Sequence, residues 1–184
     1  MRSISLTIVA LASSLALTAC DKGANNAPET EAAKNAAGDN TLAEALGADD
    51  STFANAVKAA GLDATLAGPG PYTVLVPSNA AFEKLPAGAL DNLQKPENKA
   101  ALTALLSNHI LSGAVLTQDI GKAVDAGNGK TQLMTIGGET LTAAKEGNAI
   151  TLTDSKGGKA TITGADGKAS NGVVQRIDGV LAAG

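Results

Sequence analysis

Aromatic side chains are scarce in this sequence, which has no Trp, one Tyr and two Phe among 184 residues. Phe53, Tyr72 and Phe82 cannot fill a core by themselves, so Ala, Leu, Val and Ile must supply most of the packed interior. Hydrophobic residues make up 44% of the chain, which is enough for a buried core. A single core usually takes about 100 to 200 residues, so the length predicts one domain with appendages.

Cysteine and histidine are nearly absent, with one residue of each. Cys20 alone cannot form an internal disulfide, and His109 alone cannot complete a usual zinc site. His109 is the only candidate base for a Ser-His-acid hydrolase, and its spacing on an apolar helix face favours a structural role. The sequence also lacks a phosphate-binding P-loop. We therefore expect no enzyme activity, no cofactor and no metal ion.

A basic excess is absent as well, since 14 Lys and Arg face 18 Asp and Glu for a net charge of −4. This balance opposes attraction to phosphate backbones, so nucleic acid is not an expected partner. The acidic residues Asp49, Asp50, Asp119 and Asp125 lack the regular spacing of a calcium loop. We interpret them as solvated surface charge.

The N-terminal apolar run is too short for a membrane span. Met1 and Arg2 precede the apolar stretch Ile4 to Leu17, whereas a bilayer needs roughly 20 apolar residues. The stretch therefore reads as a signal peptide. The segment that follows, Leu17-Thr18-Ala19-Cys20, resembles the bacterial lipobox, in which lipid is transferred to the thiol and the chain is cleaved before it. The alternative is an ordinary cleavage site beside an incidental cysteine.

The chain accordingly divides into a signal peptide at 1–19, a lipidated Cys20 with a disordered tether at 20–40, and a folded domain at 41–184. The tether has no branched aliphatic or aromatic side chain to bury, which is typical of disorder. The predicted location is the cell envelope, with the lipid in the inner or the outer membrane and the domain in the periplasm or at the cell surface.

Helical signals dominate the first half of the folded domain. Thr41 and Glu44 have capping-box spacing, and Asp50 or Ser51 can cap a second helix. The clearest helix begins at Pro96 and carries an apolar face. That face comprises Leu102, Leu105, Leu106 and His109.

Strand signals are concentrated after Gly113, apart from the uncharged strand Tyr72 to Val76, which we expect to be buried on both faces. Gly137-Gly138, Gly147-Asn148, Gly157-Gly158 and Asp166-Gly167 are predicted hairpin turns. Helices followed by strands in one domain predict an α+β fold. The later strands are predicted at Ala114 to Leu116, Thr131 to Ile136, Glu139 to Ala143, Ala149 to Thr153, Ala160 to Thr163 and Val173 to Ile177.

Two segments of the domain resemble the two signature motifs of the fasciclin family. The first is Tyr72 to Phe82, a strand followed by Pro, a hydroxyl residue, Asn and Phe, and the second is Ser170 to Leu181. Between them, Asn108-His109 occupies the place of the family's Tyr-His pair. Asn108 replaces the usual Tyr, and Gln175 stands where many members have His, so we carry over no integrin binding.

The resemblance implies a β-wedge of mainly antiparallel or mixed sheet, flanked by helices that come mostly from the N-terminal half. It places the two motif strands side by side, with Val74, Val76, Val173 and Ile177 in the core. Asn79 and Asp178 are expected to accept turn amides. The motif residues, mostly structural, are Thr73, Val74, Pro77, Ser78, Asn79, Phe82, Asn108, His109, Asn171, Gly172, Val173, Ile177, Asp178 and Gly179.

Lipobox, tether and motifs together predict an adhesion or protein-interaction module, anchored to the membrane through Cys20, with an unidentified protein or glycan partner. One alternative is an envelope protein that binds or senses a small lipid, glycan or metabolite. A hydrolase that uses His109 is the least favoured hypothesis.

Overall fold

The computed structural model describes residues 40–46, 50–86 and 88–181. The predicted signal peptide, Cys20 and nearly all of the predicted tether lie outside these ranges and stay predictions. In the described part, helices occupy most of the N-terminal half and strands most of the C-terminal half, as the α+β prediction requires.

The N-terminal half contains short helices around one strand. Glu44 accepts the Thr41 amide at 2.9 Å in the predicted capping box, and Gly61 ends the second helix with a φ of 77°. Ser78 caps the helix after the first strand by accepting the Ala81 amide at 3.3 Å. The elements are α1 Leu42–Ala45, α2 Ser51–Ala60, α3 Asp63–Ala67, β1 Tyr72–Pro77, α4 Asn79–Glu83, α5 Ala89–Leu93, a 3-10 turn Pro96–Asn98 and α6 Lys99–Ser107.

The C-terminal half supplies six further strands and one helix. The strand predicted at Ala114 to Leu116 is wrong, because the chain pairs earlier as β2 and then turns into a helix that was not predicted. The Asp166-Gly167 hairpin turn is also wrong, since both residues lie inside one strand at a register shift. The elements are β2 Ile110–Ser112, α7 Thr117–Ala126, β3 Lys130–Met134, β4 Thr140–Glu146, β5 Ala149–Thr153, β6 Lys159–Ala169 and β7 Gly172–Ile177.

The seven strands form one mixed sheet in the order β2-β1-β7-β6-β5-β4-β3. The two motif strands are parallel neighbours, with Tyr72 opposite Gly172 and Pro77 opposite Ile177. The other pairings are antiparallel. An antiparallel bridge from Leu111 to Thr135 brings the two outer strands together at one end, so the sheet curls into a wedge that is nearly closed.

Strand β1 separates two hydrophobic clusters, and alternation along it decides which side chain enters which cluster. Val74 and Val76 pack with α2 and α6, whereas Leu75 packs with α7 and the later strands. All three side chains have no exposed surface, so β1 is buried on both faces as expected. Full burial of each is worth roughly 1.5 to 3 kcal/mol.

Candidate functional site

His109 lies in the interior, two residues beyond the end of α6, and has no exposed surface. Its Nδ1 is 2.8 Å from the Leu105 carbonyl oxygen, and its Nε2 accepts the Leu181 amide at 3.1 Å. A neutral ring that donates from Nδ1 satisfies both contacts. The Phe53 ring lies 6.1 Å from the imidazole, centroid to centroid. His109 therefore ties the end of α6 to the C-terminal end of the domain.

Burial lowers the pKa of His109 from 6.5 to about 4, against the opposing effects of the Leu105 carbonyl and the Asp154 carboxylate. The ring is therefore neutral at neutral pH, and a backbone amide occupies its acceptor nitrogen. A general base needs access to a substrate proton. The geometry of His109 thus supports the structural role.

Asn108 is also buried, with 5% of its surface exposed. Its Nδ2 donates to Glu139 Oε2 at 3.1 Å, and its Oδ1 accepts the Thr135 hydroxyl at 3.2 Å. Gly137 lies against the same side chain and leaves no room for a larger residue, because a Cβ at position 137 would be 2.1 Å from Asn108 Oδ1. Asn108 therefore holds the β3–β4 turn, and little of its surface is exposed.

A surface cleft of about 490 Å³ opens beside this turn. Asn108 and Glu139 lie in its lining, and Ser155 donates a hydrogen bond to Glu139 Oε1. Two large hydrophobic side chains stand at the same turn, where Met134 is 68% and Ile136 is 38% exposed. We call Met134, Ile136, Gly138 and Glu139 the hairpin face. Ile136, Gly138 and Glu139 were predicted as parts of a hairpin, but the exposure of Met134 and Ile136 was not predicted from the sequence.

The polar residues of the first motif bind backbone groups of distant segments. The Thr73 hydroxyl donates to the Gly113 carbonyl at 2.7 Å and accepts the Val115 amide at 2.8 Å. Asn79 Oδ1 accepts the Thr52 amide at 3.2 Å. These contacts hold the loop after β2 and the start of α2 against the central strand.

The second motif does the same on β7, the parallel neighbour of β1. Asn171 Oδ1 accepts the Leu42 amide at 2.8 Å, and its Nδ2 donates to the carbonyls of Leu66 and Gly68 at 2.7 and 2.8 Å. Asp178 Oδ1 accepts the Thr161 amide at 2.6 Å. Asn79 and Asp178 thus accept backbone amides, but those of the helix α2 and the strand β6 rather than the turn amides that were expected.

The remaining motif residues are placed by packing. Gly172 lies where β1 and β7 come closest, since a Cβ there would be 2.0 Å from the Tyr72 carbonyl oxygen. A Cβ on Gly179 would likewise be 2.6 Å from the Lys159 carbonyl oxygen. Besides the buried polar residues described above, the motif residues with buried side chains are Val74, Pro77, Phe82, Val173 and Ile177.

One acidic residue departs from the surface-charge interpretation. Asp50 is 1% exposed, and its carboxylate forms two hydrogen bonds with Arg176, at 3.2 Å to Nε and 2.9 Å to Nη2. Asp50 is buried because α2 starts against β7, a contact 126 residues apart. Asp119 and Asp125 are exposed as expected and pair with Lys122 and Lys145.

The described ranges hold no cluster of three or more His, Cys, Asp or Glu side chains arranged to hold a metal ion. Among the helices of those same ranges, none is both long and apolar enough to cross a bilayer.

A second depression, which we call the α7 groove, lies between α7 and strands β4 to β6 and measures about 420 Å³. Gly121 of α7, Lys145 of β4 and Ile150 of β5 line it, and Asn148 stands at the β4–β5 turn. Asp166 fixes the start of α7 by accepting the Thr117 amide at 3.0 Å and the Thr117 hydroxyl. Neither α7 nor this groove was predicted from the sequence.

Comparison with known proteins agrees with the architecture. The Fasciclin domain model matches residues 48–183. Protein sll1483 of Synechocystis is 38% identical over 132 residues, which are 71% of this chain and 66% of that protein. The pig protein ig-h3, a transforming growth factor-beta-induced protein, is 42% identical over 131 residues, which are 71% of this chain but 17% of ig-h3.

A pair of FAS1 domains from the insect cell adhesion molecule fasciclin I has a similar fold, with a TM-score of 0.54 and 24% identity. The similarity covers 72% of this chain and 43% of that one. The chain thus spans less than two thirds of each of these relatives. Because the family model covers most of the described domain and the motif strands are paired as neighbours, the chain belongs to the fasciclin-domain family.

Proposed function

We propose that this chain is a non-enzymatic interaction module that is held on a membrane by lipid at Cys20 and contacts a protein partner through the hairpin face. One observation carries the choice of surface: Met134 and Ile136 are the large hydrophobic side chains that stand exposed in the described ranges, and both lie at one turn. An adhesion role is supported by the fold that this chain shares with fasciclin I, an insect cell adhesion molecule.

The hairpin face has the composition of a small protein-binding site. Burying one Met or Ile side chain fully is worth roughly 1.5 to 3 kcal/mol, so two adjacent ones can anchor a weak interface. Glu139 lies at the edge of the same turn and adds a polar rim, where hydrogen bonds set orientation more than affinity. A partner that covers Met134 and Ile136 with apolar side chains would also meet Glu139, which lines the adjacent cleft.

Site-specific photocrosslinking in intact cells tests this surface. A photoreactive residue at position 134 is expected to give a discrete crosslinked product, and Ile136→Ser in the same chain is expected to reduce its yield. Gln132→Ser is the matched control, because Gln132 is exposed on the same strand and is polar already. Equal yields from the Ile136→Ser and Gln132→Ser chains, or no product at 134, would reject the hairpin face.

The anchor is tested separately. Cys20→Ser removes the only thiol that can accept lipid, so the folded chain is expected to move from the membrane fraction to the soluble fraction. If Cys20→Ser stayed in the membrane fraction, the lipid anchor would be rejected, and the proposal for the hairpin face would be unaffected.

The absence of enzyme activity is supported by the geometry of His109. Purified protein is expected to show no hydrolysis of generic ester and peptide substrates. Turnover that disappears in a folded His109→Gln variant would overturn this part of the proposal.

A further inference from the structure

The α7 groove lies beside an irregularity in β6. The pairing of β6 with β7 shifts register between Thr163 and Gly167, and Asp166 within that shift holds the start of α7. Gly164 and Ile162 of the same strand line the groove. The irregular part of β6 thus supplies both Asp166, which holds the start of α7, and Gly164, which lines the groove.

Gly121 stands in the middle of α7 without a structural need for glycine. Its backbone is helical, and an added Cβ would meet Lys145 Cε at 3.5 Å and Ile150 Cδ1 at 3.9 Å, which are ordinary contact distances. Alanine would fit there and would favour the helix. Glycine at position 121 therefore makes α7 less stable than alanine would. Because it has no side chain, it leaves the floor of the groove open.

The charged groups of the groove neutralise one another. Lys145 Nζ lies 2.6 and 2.5 Å from the two carboxylate oxygens of Asp125. Lys122 at the rim pairs with Asp119 at 3.1 Å. These pairs leave no net charge to attract an anion or a cation.

Uncharged hydrogen-bonding groups complete the rim. Gln118 and Asn148 both line the groove and are exposed, and within the described ranges neither side chain has a hydrogen-bond partner. Each amide offers donors and an acceptor in one plane. Ile150 and Ile162, 5% and 9% exposed, give the floor a small apolar surface.

We propose that the α7 groove is a binding site for a neutral, hydroxyl-rich ligand, namely a short saccharide segment. Vicinal hydroxyl groups both donate and accept, which matches the amides of Gln118 and Asn148. The C–H face of a sugar ring can lie on Ile150 and Ile162. This site is separate from the hairpin face and does not depend on it.

The expected affinity is weak, in the millimolar range, because no aromatic side chain lines the groove to stack on a sugar ring.

Titration of the ¹⁵N-labelled full chain, followed by NMR, tests the site. The probes are cellobiose, maltose and chitobiose, with galacturonic acid and glucosamine as charged comparators. A neutral disaccharide is expected to shift the backbone amides of Gly121 and Gly164. Gln118→Ala and Asn148→Ala are each expected to weaken binding about fivefold, the effect of one lost hydrogen bond. Gln132→Ala, an exposed amide outside the groove, is the matched control and should leave binding unchanged.

Gly121→Leu is expected to abolish the shifts by filling the floor, and its folding is checked by the unchanged amides of β1 and β7. Three results would overturn the proposal: no shifts with any neutral disaccharide, shifts confined to residues outside the groove, or stronger binding of a charged comparator. The hairpin face is unaffected by any of these results, because its test depends on residues 134 and 136.

Discussion

At the scale of single residues, buried polar side chains join segments that are distant in sequence. His109 binds the Leu181 amide across 72 positions, and Asp50 binds Arg176 across 126. A buried polar group is costly unless it finds its partner, so each such contact is formed only in the correct fold. Two of these contacts give stability predictions.

The stability of the protein is expected to fall as the pH drops from 6.5 to 4, in part through His109. The folded-state pKa of His109, about 4, lies below its ordinary value of 6.5, so between these values the unfolded chain binds the proton more readily. The contribution is fully present above pH 6.5 and is lost towards pH 4. It amounts to about 3 kcal/mol.

Carboxylates titrate in the same range, so the comparison of wild type with His109→Gln isolates the histidine. Urea unfolding at about pH 7.5 and about pH 4.5 is expected to show a gap in unfolding free energy that narrows at the lower pH. A gap of the same size at both pH values would contradict this assignment.

Arg176→Met is expected to destabilise the domain more than Asp50→Asn. The first change leaves the Asp50 carboxylate, which is 1% exposed, buried without its cationic partner, at a cost of about 3 to 5 kcal/mol. The second leaves Arg176, whose side chain is 41% exposed and stays hydrated, so the loss is smaller, about 1 to 2 kcal/mol. Denaturant titration of both variants measures the order, and equal losses would argue against this asymmetry.

At the scale of elements, the sequence predicted the local structure well where the signal is local. The predicted Thr41 capping box forms, and it joins residues only three positions apart at the start of α1. Strand β5 was predicted with its observed bounds, because its apolar run is flanked by turn residues on both sides.

Helix α7 was not predicted from the sequence, because the residue that holds its N-terminus is distant in the chain. Its N-terminal groups are held by Asp166, 49 residues later, and Gly121 interrupts its helix-forming sequence. Ile120 and Val124, which are buried and four residues apart, were the local signal that could have found it. The misplaced strand at Ala114 to Leu116 has the same origin, since the pairing partner of the true strand is β1, about 40 positions earlier.

Replacing Gly121 or Gly172 by alanine is expected to change the stability of the domain in opposite directions. Gly121→Ala should stabilise the domain by up to about 1 kcal/mol, because the new Cβ fits in α7 and favours the helix. Gly172→Ala should destabilise it by about 3 kcal/mol, because the new Cβ would lie 2.0 Å from the Tyr72 carbonyl oxygen between β1 and β7. Thermal unfolding of both variants checks the pair, and each serves as the control for the other. A stabilising Gly172→Ala would show that β1 and β7 do not approach this closely.

At the scale of the whole molecule, the parallel pair β1–β7 is the centre around which both hydrophobic clusters are built. Its strands pair residues as distant in sequence as Tyr72 and Gly172, so the pairing closes a loop that contains most of the domain. Strand β3 lies at the other end of the sheet order and pairs with β4 alone, apart from the single bridge at Thr135.

Hydrogen exchange is therefore expected to be slowest in β1 and β7 and faster in β3. Amides of the central pair should exchange only through global unfolding, whereas β3 should open locally. Exchange followed by mass spectrometry under native conditions, with the rate of the central strands compared with the global unfolding free energy, measures this order. Protection of β3 equal to that of β1 would indicate that the edge strand is covered.

The sequence by itself determined the features that depend on local chemistry or on motif residues: the α+β class, the family, the two motif strands, most helix caps and turns, and the expectation of a lipidated Cys20. Only the tertiary structure decided the burial of Asp50, His109 and Asn108, the position of α7, and the exposure of Met134 and Ile136. The physical reason is that burial and exposure depend on contacts between segments that are distant in sequence, such as Leu42 and Asn171, which are 129 positions apart. No local pattern encodes which distant segment covers a given residue.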